Sequence, residues 1–253
     1  MIDTHAHIDD AQYAEGLDEF IAAQRADGVE AIVVPGINAA SIESVCALAD
    51  RYPGYCFPAA GLHPEEVGAG WREELDKIEA ALDRRVWTAI GEIGLDYHWD
   101  TTWKREQQEV LEAQLDWATD RDLPVMIHSR DATEDMLTML KPYCAKGLRG
   151  VMHCFTGSKE TAKRITDMGL YVGIGGVITF KNAKLSETLR EVPRERVLTE
   201  TDSPYMAPVP YRGQRNEPRW MRYVLDRIGE VYGITAREAD FLTTCNARAL
   251  FGL

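Results

Sequence analysis

The chain has 253 residues, 45% hydrophobic and 27% charged, the balance of a globular protein able to bury a large core. Its 41 acidic and 28 basic residues leave a formal charge of −13, which argues against non-specific coating of nucleic acid but permits a pocket that grips a few phosphates through bound cations. No apolar run reaches the roughly 20 residues of a membrane span, the opening lacks a leader pattern, and five dispersed cysteines without CxxC spacing fit reduced thiols, so a cytoplasmic protein is expected.

In chain order, apolar β-branched runs predict strands over Met1–His7, Ala31–Pro35, Cys56–Leu62, Val86–Gly91, Pro124–His128, Val151–Phe155, Leu170–Ile174 and Val197–Asp202. Between them lie helical periodicities such as Leu17–Ala26, Trp103–Thr119 and Lys159–Met168. In the second of these, Leu111, Leu115 and Ala118 mark an apolar face and Glu109, Glu112 and Asp116 a polar one. Gly28, Pro53-Gly54, Asp122–Pro124 and Gly169 punctuate the units. Eight strands alternating with helices over this length predict an α/β fold, a (β/α)8 TIM-type barrel, as a single domain over 1–253. No GxGxxG opens a helix after the first strand, so a dinucleotide-binding sheet is disfavoured.

The six histidines follow these runs, and the first two form a His-x-His. Residues two apart on a strand share a face, so His5 and His7 can converge on one ion. Glu92, His128, His153 and Asp202 end strands four, five, six and eight. Parallel barrel strands all deliver their C-terminal ends to one mouth, so four histidines and two carboxylates meet there, an inventory suited to divalent metal ions. Glu200 shares parity with Asp202 one pleat deeper, and either binds metal, orients a histidine or accepts a buried hydrogen bond. Asp3 shares parity with His5 and His7 and is expected to support them from behind or to sit on the barrel floor. Cys154 points away from the face of His153 and is expected to pack.

With those residues in place, the blocks MIDTHAHID, GLHPE, IGEIGLDY, HSRDA, MHCFTG, ITFKNA, TETDSPY and RNEP resemble, in order and over nearly the whole chain, the signatures of TatD-type metal-dependent hydrolases in the amidohydrolase-like barrel superfamily. The resemblance implies 3′-to-5′ exonuclease activity on DNA or RNA with magnesium or another divalent ion. It also implies that His5, His7, Glu92, His128, His153 and Asp202 are the metal ligands, with Glu92 bridging two ions. Imidazole suits manganese or zinc better than magnesium, so two divalent ions of open identity are expected. Asp202 is the expected proton acceptor and Glu92 its catalytic companion.

Around this centre, His63 is expected to contact phosphate or metal, and Arg130, Lys181 and Arg215 to bind substrate. Arg130 has the alternative of an ion pair with Asp131 or Glu134. His98 is either a substrate contact or a solvated loop residue. Tyr97, Trp99 and Trp103 form either a stacking platform for bases or packing under a loop. Nucleic acid is the expected partner, with no membrane and no obligate protein partner. The rival activities are D-aminoacyl-tRNA deacylation or another metal-dependent esterase or amidase reaction in the same barrel. Some relatives bridge their metals with a carboxylated lysine on strand four, where this chain has Glu92. A metal-binding protein without activity would be expected to lose a ligand or the rim acid, and none is missing.

Overall fold

A computed structural model describes residues 1–253. Eight parallel strands pair in chain order: β1 (Ile2–Asp3), β2 (Ala31–Pro35), β3 (Cys56–Ala60), β4 (Ala89–Asp96), β5 (Val125–Arg130), β6 (Gly150–Met152), β7 (Tyr171–Ile174) and β8 (Val197–Thr199). Helices α1 (Leu17–Ala26), α2 (Ala39–Arg51), α3 (Trp71–Leu82), α4 (Lys104–Asp120), α5 (Thr133–Cys144), α6 (Lys159–Asp167), α7 (Leu185–Leu189), α8 (Met221–Tyr232) and α9 (Ala236–Phe251) surround the sheet. The last strand returns to the first. Thr4 N–H donates to Thr199 O at 3.1 Å, and Ala6 bridges Ser203 in parallel. The (β/α)8 expectation holds. No helix is long and apolar enough to cross a membrane.

Local sequence explains the elements. Asn38 and Ser41 cap the start of α2 reciprocally, and Thr235 and Glu238 do the same for α9. On α4, Leu111, Leu115 and Ala118 are buried, Glu112 and Asp116 are exposed, and Glu109 is half-exposed. The main core lies between sheet and helices, built from residues such as Ile32, Val34, Ile78, Leu111, Leu140, Ile165 and Ile228. A smaller cluster fills the barrel itself: Ile2, Ala31, Val33, Ala59, Ala89, Met126, Val151 and Leu198, plugged by Ala247, Leu250 and Phe251 from α9. The inward positions continue upward by steps of two, from Met126 to His128, Val151 to His153 and Leu198 to Glu200. An apolar floor therefore carries a polar layer.

Several boundaries differ from the sequence expectation. Strand pairing stops at Asp3, short of His7, and at Thr199, short of Asp202. Ile2 belongs to the inner cluster and Ala6 to the outer, so the alternation changes phase between them. Simple parity therefore does not carry from the first strand to its histidines. Val86, expected to open strand four, is 91% exposed in the preceding loop, and β4 runs instead to Asp96.

Candidate metal centre

Glu92 reaches the mouth because β4 is irregular. Ile90, Ile93 and Leu95 pack in the outer core, and the register against β5 shifts between Ile90 and Ile93. The extra residue changes the phase of the pleat, so Glu92, Gly94 and Asp96 face inward where strict alternation from Ala89 would turn Glu92 outward. A Cβ on Gly94, whose φ is +153°, would overlap the His128 carbonyl oxygen, so only glycine lets β4 and β5 approach here.

The two oxygens of Glu92 divide the site. Oε2 lies 3.1 Å from His5 Nε2 and 3.4 Å from His7 Nε2. Those two nitrogens are 3.1 Å apart, and each is 3.8 Å from Asp202 Oδ1. Oε1 lies 3.1 Å from His128 Nδ1 and 3.4 Å from both His153 Nε2 and His63 Nε2. Histidine nitrogens and carboxylate oxygens gathered this closely are the donor set of a cation site. Three overlapping groups have metal-ligand spacing: His5, His153 and Asp202; His5, His7 and Glu92; and His63, Glu92 and His128.

Carboxylates stand behind two of the rings. Asp96 Oδ2 is 2.8 Å from His128 Nε2, leaving Nδ1 toward the centre. Glu200 Oε1 is 3.2 Å from His153 Nδ1 and accepts from the Cys154 N–H, leaving His153 Nε2 toward the centre. Glu200 is wholly buried and fits because Gly173 opposite has no side chain; a Cβ there would overlap Oε2. Of the three roles open to Glu200, the buried hydrogen bond, from the Cys154 N–H, is the one the geometry realises, with His153 Nδ1 close by but not hydrogen-bonded to it. The sequence reading missed Asp96, although it sits at the same parity as Glu92 four residues on. Asp3, wholly buried, accepts from His5 N at 3.2 Å, Thr201 N at 3.0 Å and Thr201 Oγ1 at 2.5 Å, tying the His-x-His segment to the end of β8. Burial pushes its carboxyl up to about 8.

The electrostatics follow burial and neighbours. Burial pulls His5 well below the ordinary histidine value, and the adjacent His153 adds to this. Burial also opposes charge on His128 and His153, but Asp96 and Glu92 raise the first to about 9, and Glu200 and Glu92 raise the second to about 10. Glu92 stays well below the carboxylate range despite burial, because His5, His153 and His63 face it. Burial raises Asp202.

The outer candidates separate. His63 Nδ1 accepts from Glu65 N–H at 3.1 Å, so the neutral ring carries its proton on Nε2 and is a donor toward the centre. His98 pairs with Asp131 at 2.6 Å on the surface, apart from the cluster. Glu134 pairs with Arg164, so neither acid expected for Arg130 binds it. The Arg130 guanidinium lies instead 5.1 Å from the Trp99 ring centroid. Tyr97 and Trp103 pack partly into the core, whereas Trp99 is 72% exposed. Lys181 is exposed in the turn after β7. Arg215 does not point its charge at the mouth: it donates to Gln12 O and covers the Tyr13 ring. Its neighbour Asn216, wholly buried, donates to Thr201 O and Tyr205 O, both at 2.7 Å, and fastens the loop after β8.

A family model described as TatD related DNase matches residues 2–252. An uncharacterized metal-dependent hydrolase of Bacillus subtilis is 42% identical over 252 residues, covering 99% of this chain and 98% of the relative. A 3′-5′ ssDNA/RNA exonuclease TatD of Klebsiella pneumoniae is 33% identical over 260 residues, covering 100% and 98%. The crystal structure of a TatD homologue from Escherichia coli superposes with a TM-score of 0.93 at 32% identity, covering 100% of this chain and 98% of that one.

Proposed function

Because the chain belongs to the TatD-related DNase family of metal-dependent hydrolases, we propose that it is a 3′-to-5′ exonuclease of single-stranded DNA and RNA, acting as one catalytic unit over 1–253 with two divalent ions. The observation that carries this reading is the divided Glu92 carboxylate, with separate nitrogen sets facing its two oxygens. His5, His7, Asp202 and Glu92 would hold one ion, and Glu92, His128 and His153 the other, each set drawn from side chains that face a common Glu92 oxygen or lie within reach of it. Two ions at such a site supply an acidified water and neutralise charge on the attacking and leaving oxygens of a phosphodiester. Asp202, at the rim, takes the proton of the attacking water. His63 Nε2–H donates to a phosphoryl oxygen, and Arg130 and Lys181 balance backbone charge. Arg215 acts indirectly, by bracing the loops around the mouth.

The relatives named as exonucleases act on single strands, and a recessed centre suits an unpaired end. Imidazole-rich ligation favours manganese or zinc over magnesium. The five free cysteines support a reducing, cytoplasmic setting. Strands labelled at the 5′ or the 3′ end, incubated with magnesium, manganese or zinc, test the proposal. The expected result is progressive shortening from the 3′ end, abolished by chelator. Turnover of D-aminoacyl-tRNA or simple esters with intact phosphodiesters would overturn it.

A further inference from the structure

Trp99 is the largest side chain left open to solvent beside the centre, and nothing in the proposed reaction yet uses it. It follows Asp96, the residue behind His128, by three positions. Arg130, whose guanidinium lies 5.1 Å from its ring centroid, follows His128 by two positions and pairs in register with Asp96. Ring and guanidinium thus grow from the same pair of strands that hold His128. The His98 ring meets Trp99 edge-on, with centroids 4.7 Å apart at 83°, and His98 is itself anchored to Asp131. The indole is therefore held from two sides although it is exposed.

A cavity of about 330 Å³ opens against Trp99, lined also by Pro64, Val67, Trp103, Asp96 and Gln107. Arg130, placed over the indole ring, is not one of the cavity's lining residues. Its remaining lining residues are Glu65 and Asp100. With Asp96 these make three carboxylates, which repel a phosphate but not an uncharged flat ring with polar edges. Phosphate therefore belongs on the Arg130 side and a base on the cavity side.

We infer that Trp99 is a stacking platform for one nucleobase of the single strand, with Arg130 fixing the ring from one side and the adjoining phosphate from the other. This rests on the exonuclease reading and adds to it the requirement for an unstacked base, since a base inside a duplex has no free face to offer the indole.

The test is a cycle between the ring and the base. Wild type and Trp99→Ala are compared on a short deoxyoligonucleotide and on versions carrying one abasic unit at each of the three 3′-terminal positions. Cleavage is measured with manganese, and binding with calcium by fluorescence anisotropy. Removing the ring or the base at the stacked position is expected to cost about 5- to 150-fold in binding or kcat/KM. Removing both is expected to cost little more than removing one, and Trp99→Phe is expected to recover most of the loss. Arg130→Gln is expected to weaken intact and abasic strands alike. If Trp99→Ala matches wild type on the intact strand, or its loss simply adds to the abasic loss at every position, the platform does not exist and the exonuclease reading stands. If wild type neither binds nor cuts any strand, the exonuclease reading falls and takes the platform with it.

Discussion

Glu200 lies 3.2 Å from His153 Nδ1 without a hydrogen bond to it, whereas His128 presents Nδ1 to the centre because Asp96 engages its Nε2. Such partners fix ring orientation and raise ligand basicity, and losing one commonly weakens metal binding about 10- to 100-fold. Asp96→Asn is accordingly expected to lower metal affinity by that order in calorimetric titration, with the melting temperature nearly unchanged. Asp202→Asn is expected to retain the fold and reduce strand cleavage by at least about 100-fold; an unchanged kcat would remove Asp202 from the proton step. The raised values of His128 and His153, about 9 and 10 against an ordinary 6.5, mean that both rings carry protons at pH 7 before an ion arrives. Burial opposes charge on His7, but Glu92 and Asp202 raise it as well. Ligation requires neutral rings, so metal binding at pH 7 should expel at least about two protons, fewer as pH passes 9 and then 10. Calorimetry in buffers of different ionisation enthalpy reads that number directly. The sign for stability is the same: the contribution of these rings to the metal-free fold is fully present below 6.5 and is lost as pH rises through 9 and 10.

Among the elements, β4 is the one whose irregularity decides the site. Gly94→Ala would drive a methyl group into the His128 carbonyl and part β4 from β5. A loss of roughly 3 kcal/mol is expected, which for a chain of this size lowers the melting temperature by about 6–12 °C, together with weakened metal binding. A variant that melts like wild type would show that the strands can separate without cost. The eight strands and the convergence of the expected ligands at one mouth were legible in the sequence because apolar runs ending in His, Glu or Asp record where the inner face leaves the floor. The bulge was less legible. The spacing of Ile90, Ile93 and Leu95 breaks alternation, but a short apolar run does not say which residue is extra. For the same reason Asp96 went unseen, since its parity with Glu92 matters only once the strand is known to continue that far. Arg215 misled for a different reason. A cation in a family block has no address until its ring partner Tyr13, some two hundred positions earlier in the chain, is placed beneath it.

Over the whole molecule, the charge of −13 sets how a polyanion can be met. Arg130 and Lys181 form no salt bridge, whereas Lys104, Arg164 and Arg219 are each paired with a carboxylate. With about two phosphate contacts, single-strand binding in calcium should fall with salt at a log–log slope near −1.4. A slope beyond about −4 would demand a cationic track along the surface. The seam between β1 and β8 carries a further consequence. His5 and His7 lie on one side of it and Asp202 on the other, with Asp3 bound to Thr201 across the join. The centre is thus completed only where the barrel closes, and anything that opens this seam separates the His-x-His pair from Asp202.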